Sequence, residues 1–256
     1  MRKRAAGGGV DARFCDNRET AGFLADGSFA DYATADPETT VKLPESLSFE
    51  QAAPLMCAGC TVWASLDKVT PGLESGATVV IVGIGGLGHL GLQFAKARGF
   101  RTVGVDCRAA GRKLARDMAN PDLRPDLILD STDEDAAMRA IFDFTQGEGA
   151  AATVVCTDSI AANRWALKTL RVAGVMGILG LPPEPWRLDP EPLAYRELTI
   201  RGSYVAGREA TERMMEVVDR AGVRSRITTV AFEEIPGIVA RYEDEGFSGR
   251  LVVRMV

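Results

Sequence analysis

The sequence predicts an α/β fold in which a doubly wound parallel sheet carries helices on both faces. One observation is the continuous β-branched run at residues 77–83, which is typical of a strand buried on both faces. A second is the helical spacing of apolar residues between Leu87 and Ala97, with Gly99 at the position of a C-cap. The third is the continued alternation of strand-like and helix-like segments, which indicates parallel strands joined by helices.

Six segments are predicted to be strands, which is the strand number of the doubly wound fold. They are residues 77–83, 101–106, 126–129, 153–156, 175–179 and 198–203. Helices are predicted after the first strand and at residues 109–118, 134–144 and 160–170. Because residues 181–192 are rich in proline, we expect a rigid loop there.

The two flanks of this region have a different pattern. Residues 11–58 hold short alternating segments such as 28–33, interrupted by Asp26-Gly27 and by three prolines. After residue 203 the pattern predicts a helix at 209–221, a strand at 227–232, a helix at 235–242 and a last strand at 250–255. We expect the flanks to meet as one smaller module beside the central sheet.

Composition excludes several classes of function. The chain has 256 residues, 46% of them hydrophobic, and a net charge of -5, which argues against a nucleic-acid binder. No apolar run is long enough to cross a bilayer, and there is no secretory h-region, although residues 1–10 are basic and Gly-rich, as in some transit peptides. Five scattered cysteines do not form a disulfide framework, so we expect a reducing, cytoplasmic location. One histidine, His89, excludes mechanisms that need several.

A glycine-rich segment directly follows the first predicted strand. It reads Gly83-Ile84-Gly85-Gly86-Leu87-Gly88, a G-x-G-x-x-G pattern that opens the next predicted helix. Gly83 would allow a tight turn, Gly85 would let a pyrophosphate approach the backbone, and Gly88 would let the helix pack closely on the strand. The phosphates would lie at the positive N-terminal end of that helix. The alternative is a glycine-rich turn that binds nothing.

Asp106 ends the next predicted strand, 23 positions after Gly83 and close to the usual spacing of ~20. A carboxylate there would accept both hydroxyls of an adenosine ribose and would repel a 2′-phosphate. The position therefore favours NAD over NADP. Arg108 and Arg112 lie nearby and leave NADP open as the alternative.

Cys57-Ala58-Gly59-Cys60 forms a CxxC motif with three interpretations. A redox pair would belong to its own βαβ unit, and a zinc site would need further ligands that the neighbouring sequence lacks. Two small buried thiols are the third interpretation. His89 is expected to pack near the glycine loop rather than to bind a metal, with a general-acid role as its alternative.

These residues resemble the zinc-dependent medium-chain alcohol dehydrogenases, and among them the tetrameric microbial branch. The similarity covers about residues 15–256, and its motifs lie at residues 26–32, 53–59, 83–91, 201–204 and 249–250. The resemblance implies a six-stranded NAD-binding Rossmann domain at residues 59–203. It also implies a partial GroES-like, β-rich catalytic module formed by residues 1–58 and 204–256.

The resemblance also assigns roles to particular residues. It implies that Cys57 binds the catalytic zinc, that Thr61 contacts the nicotinamide side and that Asp106 holds the ribose. The family has a basic residue five places after this aspartate; Gly111 stands there, so Arg112 or Lys113 is expected to substitute. Leu179, Gly180 and Leu181 resemble the segment that lines the nicotinamide, and Arg250 resembles an arginine near the pyrophosphate.

The chain departs from the family at both zinc sites. The catalytic zinc of the family also takes an early cysteine and a His-Glu pair, and this chain has no such pair. In the structural zinc lobe, C-x2-C-x2-C-x7-C, Cys15 matches the last cysteine, while Met1, Arg4 and Gly7 stand at the other positions. We therefore expect that the chain begins late relative to the family.

Three functions follow as hypotheses. The first is an NAD-dependent, zinc-type alcohol dehydrogenase that transfers hydride between a primary or secondary alcohol and NAD, impaired by its missing ligands. The second is a non-catalytic NAD-binding remnant or regulatory subunit. The third is a zinc-free quinone or enoyl reductase, which Cys57 and Asp106 disfavour. The resemblance also implies a homo-oligomer formed through the edge strand at residues 198–203.

Overall fold

The central sheet determines where a ligand can bind. A computed structural model describes residues 11–244 and 246–255 of the chain. Six parallel strands form the sheet: β1 (Thr78–Val82), β2 (Arg101–Asp106), β3 (Leu127–Asp130), β4 (Ala150–Val155), β5 (Leu170–Ile178) and β6 (Thr199–Gly202). Their order is β3-β2-β1-β4-β5-β6, so the predicted doubly wound sheet is confirmed. The strand order reverses between β1 and β4, where such sheets bind their ligands.

Helices lie along the chain between and beside these strands. They are α1 (Phe49–Pro54), α2 (Cys60–Val69), α3 (Gly88–Ala97), α4 (Ala109–Arg116), α5 (Glu134–Phe144), α6 (Ile160–Lys168), α7 (Pro190–Tyr195), α8 (Arg208–Ala221) and α9 (Ile238–Glu243). A π-helical segment, Leu55–Gly59, joins α1 to α2. Side-chain caps begin α5 and α6, where Asp133 accepts from the Ala136 N–H and Ser159 from the Ala162 N–H.

The centre of the sheet is buried on both faces, as the β-branched residues of its first strand predict. Every residue of β1 is buried. Val79 and Ile81 pack into a cluster with α2, α3 and α8, whereas Val80 and Val82 pack into a second cluster with α5 and α6. Because side chains alternate between the faces of a strand, β1 anchors both cores at once and holds the loop after it in place.

The two flanks contact each other beside the sheet. After α8 come β7 (Ile227–Ala231) and β8 (Arg250–Arg254), which pair in parallel. Helix α1 lies against this pair: Gln51 exchanges two hydrogen bonds with the backbone of Ser225, and Arg254 pairs with Glu50 at 2.7 Å. Contacts between segments far apart in sequence therefore join the N-terminal flank to the C-terminal one.

Residues 11–48 differ from the β-rich module that was expected. They contain no strand; their regular structure is the short turn Ala12–Phe14 and an isolated bridge between Ala21 and Ala25. The alternating segment 28–33 is not a strand, because its large side chains cover no core: Tyr32 is 93% exposed. A strand without a buried face or a partner has little to stabilise it.

Three further local expectations need correction. The expected loop at 181–192 ends in α7, because Pro190 occupies the first helical turn and Asp189 caps it. The helix expected at 235–242 is divided into a 3-10 segment, Phe232–Gly237, and α9, since Pro236 has no N–H to donate. The helical run at 49–69 was not predicted. The domain boundary at 58/59 falls within it, and the division into two domains remains a prediction.

None of the helices in the described part of the chain combines the length and the hydropathy required to cross a bilayer.

Candidate cofactor site

A cavity of about 660 Å³ opens at the carboxyl ends of β1, β2, β4 and β5. Its position is the point where the strand order reverses, the usual ligand site of a doubly wound sheet. Predicted site residues that line it are Gly83, Gly85, Leu87, Asp106, Leu179 and Gly180. Residues that line it and were not predicted as contacts include Arg108, Glu134, Cys156, Thr157, Asp158 and Trp165.

The glycine loop has the backbone geometry that its motif requires. Gly83 adopts a φ of +88°, a conformation that other residues rarely adopt. A Cβ atom at position 88 would overlap the carbonyl oxygen of Gly83, so α3 can approach β1 only with glycine there. At Gly85 the nearest atom to such a Cβ is the Arg108 guanidinium, at 3.6 Å. The loop therefore leaves Gly85 open towards the cavity.

Helix α3 presents an uncapped N-terminus beside this loop. No side chain caps it, and its first turn contains no acidic residue. The N–H groups of His89, Leu90 and Gly91 donate to the carbonyl oxygens of Gly85 and Leu87, and the aligned peptide dipoles give this end of the helix a partial positive charge. An anionic pyrophosphate is the ligand that such an end favours.

Asp106 lies at the end of β2 with its carboxylate held in place. The carboxylate accepts hydrogen bonds from the backbone N–H of Ile84 at 2.7 Å and of Arg108 at 2.8 Å. Its side chain is 3% exposed, and the Arg108 guanidinium lies 3.4 Å away. The acid thus ties the end of β2 to the glycine loop, at the place where an adenosine ribose was predicted.

Neither Arg112 nor Lys113 lines the cavity. Arg112 donates to the carbonyl oxygens of Asp106 and Cys107, and it forms an ion pair with Asp130 at 2.7 Å. Lys113 pairs with Asp117 on the surface of α4. Gly111 has a structural reason for being glycine, because a Cβ there would overlap the Asp106 carboxylate.

The opposite wall of the cavity comes from the loop after β4 and from the end of β5. A Cβ at Gly180 would overlap the carbonyl oxygen of Thr157, so the two segments pack in direct contact. The backbone N–H of Leu181 donates to Asp158 at 2.7 Å, while the Leu181 side chain is 86% exposed. Residues that follow the predicted strand at 153–156 were therefore missed, although the carboxyl ends of strands signal the ligand crevice.

Cys156 belongs to this wall and is not a nucleophile at neutral pH. Burial raises the pKa of its thiol to about 12. The thiol therefore stays protonated and serves as a small apolar surface.

His89 packs behind the glycine loop, as expected, and connects it to the C-terminal flank. The imidazole is 1% exposed. Nε2 accepts from the backbone N–H of Arg226 at 3.2 Å, so Nδ1 carries the proton and donates to the carbonyl oxygen of Gly85 at 2.8 Å. Burial lowers the pKa of His89 to about 4, which keeps the ring neutral at pH 7.

Arg250 reaches the loop from the first position of β8. Its Cδ atom would lie 2.6 Å from a Cβ at Gly86, so glycine is needed for the arginine to lie against the loop. A cation at this place is suited to a pyrophosphate.

Cys57 and Thr61 are not among the residues that line the cavity. Cys57 is exposed on the π-helical segment, Thr61 is half-buried on α2, and Cys60 is buried with its sulfur 3.5 Å from the Thr211 hydroxyl. Within residues 11–244 and 246–255, no three His, Cys, Asp or Glu side chains come together to hold a metal ion. The described residues therefore do not fit a zinc site. Met1, Arg4 and Gly7 lie outside them.

Comparison with known proteins places this chain in a family. Residues 86–220 match the model of the zinc-binding dehydrogenase family. An alcohol dehydrogenase of Geobacillus stearothermophilus is 34% identical over 241 residues, which cover 94% of this chain and 68% of that protein. The chain belongs to the zinc-binding dehydrogenase family. Among its members, an alcohol dehydrogenase of Rhizobium meliloti (strain 1021) is also 34% identical, over 93% of this chain and 67% of that protein.

A solved structure of an alcohol dehydrogenase shares the architecture. The alcohol dehydrogenase of the hyperthermophilic archaeon Aeropyrum pernix superposes with a TM-score of 0.83 at 26% identity, covering 95% of this chain and 70% of that one. This chain thus spans about two thirds of the length of the relatives that it matches. NAD and zinc are the cofactors expected of the family.

Proposed function

We propose that this chain is an NAD-dependent oxidoreductase of the alcohol dehydrogenase type. Such an enzyme removes a hydride from the carbinol carbon and a proton from the hydroxyl, and it yields an aldehyde or ketone and NADH. The observation that carries the proposal is the convergence of the glycine loop, the α3 N-terminus and Asp106 on one cavity where the strand order reverses. The names of the relatives supply the alcohol as the substrate class.

The chain's own residues would bind and orient the cofactor, which supplies the hydride chemistry when bound. The pyrophosphate would lie at the N-terminus of α3 with Arg250 beside it, and Asp106 would accept from the ribose hydroxyls. The segment Leu179, Gly180 and Leu181 would form the wall behind the nicotinamide. Thr61 would approach the nicotinamide from α2, as the family resemblance implies.

The described residues contain no zinc site that this proposal could use. Cys57 remains a predicted ligand, but within the described residues it belongs to no group of three His, Cys, Asp or Glu side chains that could hold a metal ion. We therefore assign no proton transfer and no substrate polarisation to a metal here. A second candidate function is an NAD-binding protein without turnover, over which the relatives' names favour the dehydrogenase. The relatives' names favour the dehydrogenase over the quinone or enoyl reductase.

Two measurements on the purified chain test the proposal. NADH fluorescence titration is expected to show saturable binding that ADP-ribose, which has no nicotinamide, displaces competitively. Ethanol oxidation with NAD is then measured together with metal content. Turnover with bound zinc supports the dehydrogenase, and NADH binding without turnover supports the second candidate. A folded chain that binds neither NADH nor ADP-ribose contradicts both.

The surroundings of the site complete the proposal. We assign residues 59–203 to the NAD-binding domain, and residues 1–58 with 204–256 to the smaller module. Strand β6 is the edge of the sheet, and we propose it as the interface of a homo-oligomer. The cytoplasm is the proposed location, because the five cysteines form no disulfide framework in the sequence.

A further inference from the structure

One carboxylate joins the loop after β4 to the segment that follows β5. The backbone N–H of Leu181 donates to Oδ1 of Asp158 at 2.7 Å. Asp158 lines the cavity, and so do Leu179 and Gly180, the two residues before the donating N–H. The hydrogen bond thus connects two segments of the cavity wall that lie more than 20 residues apart in the sequence.

Leu181 has few other means of staying in place. Leu179 still belongs to the sheet, because its N–H donates to the carbonyl oxygen of Val155 at 3.0 Å. The two residues after Leu181 are prolines, which have no N–H to donate. The Leu181 side chain is 86% exposed, so packing within the chain does not hold it either. Its position therefore depends on the bond to Asp158.

Asp158 is itself held from both sides. Two residues before it, the N–H of Cys156 donates to the carbonyl oxygen of Val82 at 2.8 Å. Directly after it, Ser159 caps α6 by accepting from the N–H of Ala162 at 3.2 Å. The carboxylate therefore belongs to a fixed segment and can anchor a neighbouring loop.

Among the described residues that line the cavity, no cation competes for this carboxylate. Arg108, the one cation there, lies beside Asp106 instead. The Asp158 carboxylate is thus available to the Leu181 N–H, and a hydrogen bond to a carboxylate is stronger than one between neutral groups. Loss of the carboxylate would release Leu181 from the cavity wall.

We propose that Asp158 is a positioning residue for the nicotinamide half of the cofactor, because it holds the main chain of Leu181 in place before the cofactor binds. The inference rests on the proposed function, since it requires the dinucleotide to lie in this cavity with its nicotinamide at residues 179–181. A wall that is already ordered costs the ligand less conformational entropy on binding. The exposed Leu181 side chain would then bury apolar surface against the ring. The adenosine half, at the Asp106 end, does not depend on this bond.

The test compares the affinities of NADH and ADP-ribose for the wild type, Asp158→Ala and Asp158→Asn. ADP-ribose has no nicotinamide, so the ratio of the two affinities isolates that half of the cofactor. The lost negative charge acts on the pyrophosphate of both ligands alike and leaves the ratio unchanged. Asp158→Ala should weaken NADH binding relative to ADP-ribose by about 3- to 10-fold, because it removes a hydrogen bond to a charged acceptor. Asp158→Asn keeps an acceptor oxygen for Leu181 and should hold the ratio within about twofold of the wild type.

Asp189→Ala is the matched control. Asp189 also accepts from a backbone N–H, that of Glu191 at 3.1 Å, in the same proline-rich segment, but it does not line the cofactor cavity. This variant should leave the ratio unchanged. The emission of bound NADH gives a second readout, since it depends on the surroundings of the nicotinamide, and in Asp158→Ala it should move towards that of free NADH.

Three results would overturn the proposal. Asp158→Ala, shown to be folded by urea unfolding, could weaken NADH and ADP-ribose equally, or weaken neither. Asp158→Asn could lose as much of the ratio as Asp158→Ala. A wild type that binds neither NADH nor ADP-ribose instead contradicts the proposed function, and this inference with it.

Discussion

The two predicted functional regions, the cofactor cavity and the segment around Cys57, are built differently. In the cavity, Gly83, Gly88 and Asp106 are positioned by their own strands and by the turn between them. Cys57 is exposed on a π-helical segment, and in the described part of the chain it belongs to no cluster of three possible metal ligands. The parts of the candidate nucleotide site follow one another in sequence and come together here, whereas a metal site depends on ligands from separate segments.

The strongest test of this difference is Gly88→Val. The new side chain would overlap the Gly83 carbonyl oxygen, so α3 must move away from β1. We expect the free energy of unfolding to fall by about 3 kcal/mol or more, and NADH binding to be lost. Gly202→Ala is the control, since a Cβ there meets nothing within 4 Å. Urea unfolding and NADH titration measure both effects, and normal NADH binding by Gly88→Val would refute the role of the loop.

A variant of His89 tests whether the neutral imidazole behind the glycine loop stabilises the fold. Burial lowers its pKa from 6.5 to about 4, so between these pH values the unfolded chain binds a proton that the folded chain does not. Stability from the neutral ring is present above pH 6.5 and is lost as the pH falls towards 4. Between pH 7 and pH 4.5 we expect the wild type to lose about 2–3 kcal/mol more than His89→Gln.

Urea unfolding at both pH values gives this difference. Arg250, whose charge also disfavours the protonated ring, is unchanged in the variant and acts equally at both pH values. Equal losses in the two proteins would mean that the ring is not a neutral link between Gly85 and Arg226.

Asp106→Asn tests the ribose end of the cavity. The amide cannot accept as strongly from two ribose hydroxyls, and it no longer repels a 2′-phosphate. We expect NADH binding to weaken by about tenfold and the NADPH-to-NADH affinity ratio to rise. Fluorescence titration with both dinucleotides measures the ratio. A fall in the ratio would show that the acid does not face the ribose.

Cys57→Ser should have the smallest effect on the cofactor cavity. The side chain is exposed and does not line the cavity, so NADH affinity should change by less than about twofold and stability by less than about 0.5 kcal/mol. Zinc content, measured on the same samples, should fall if Cys57 binds the metal. A large loss of NADH binding would remove the distinction between the two regions.

Local sequence was sufficient for the central sheet and for most of one side of the cavity. Strand β2 was predicted at its observed bounds, Arg101–Asp106, and the strand–loop–helix unit around Gly83 follows from β-branched residues, glycines and helical spacing. These features depend on neighbours a few residues away, so a pattern in the sequence contains them.

The tertiary structure alone decided the features that depend on residues far apart in sequence. It placed Arg108 in the cavity and paired Arg112 with Asp130, although both arginines lie close to Asp106. It brought Arg226 to His89, more than 130 residues away, and it left the alternating residues of 11–48 without a sheet to join. The free energy that selects such contacts comes from burial and pairing in the folded state, which composition and periodicity do not record.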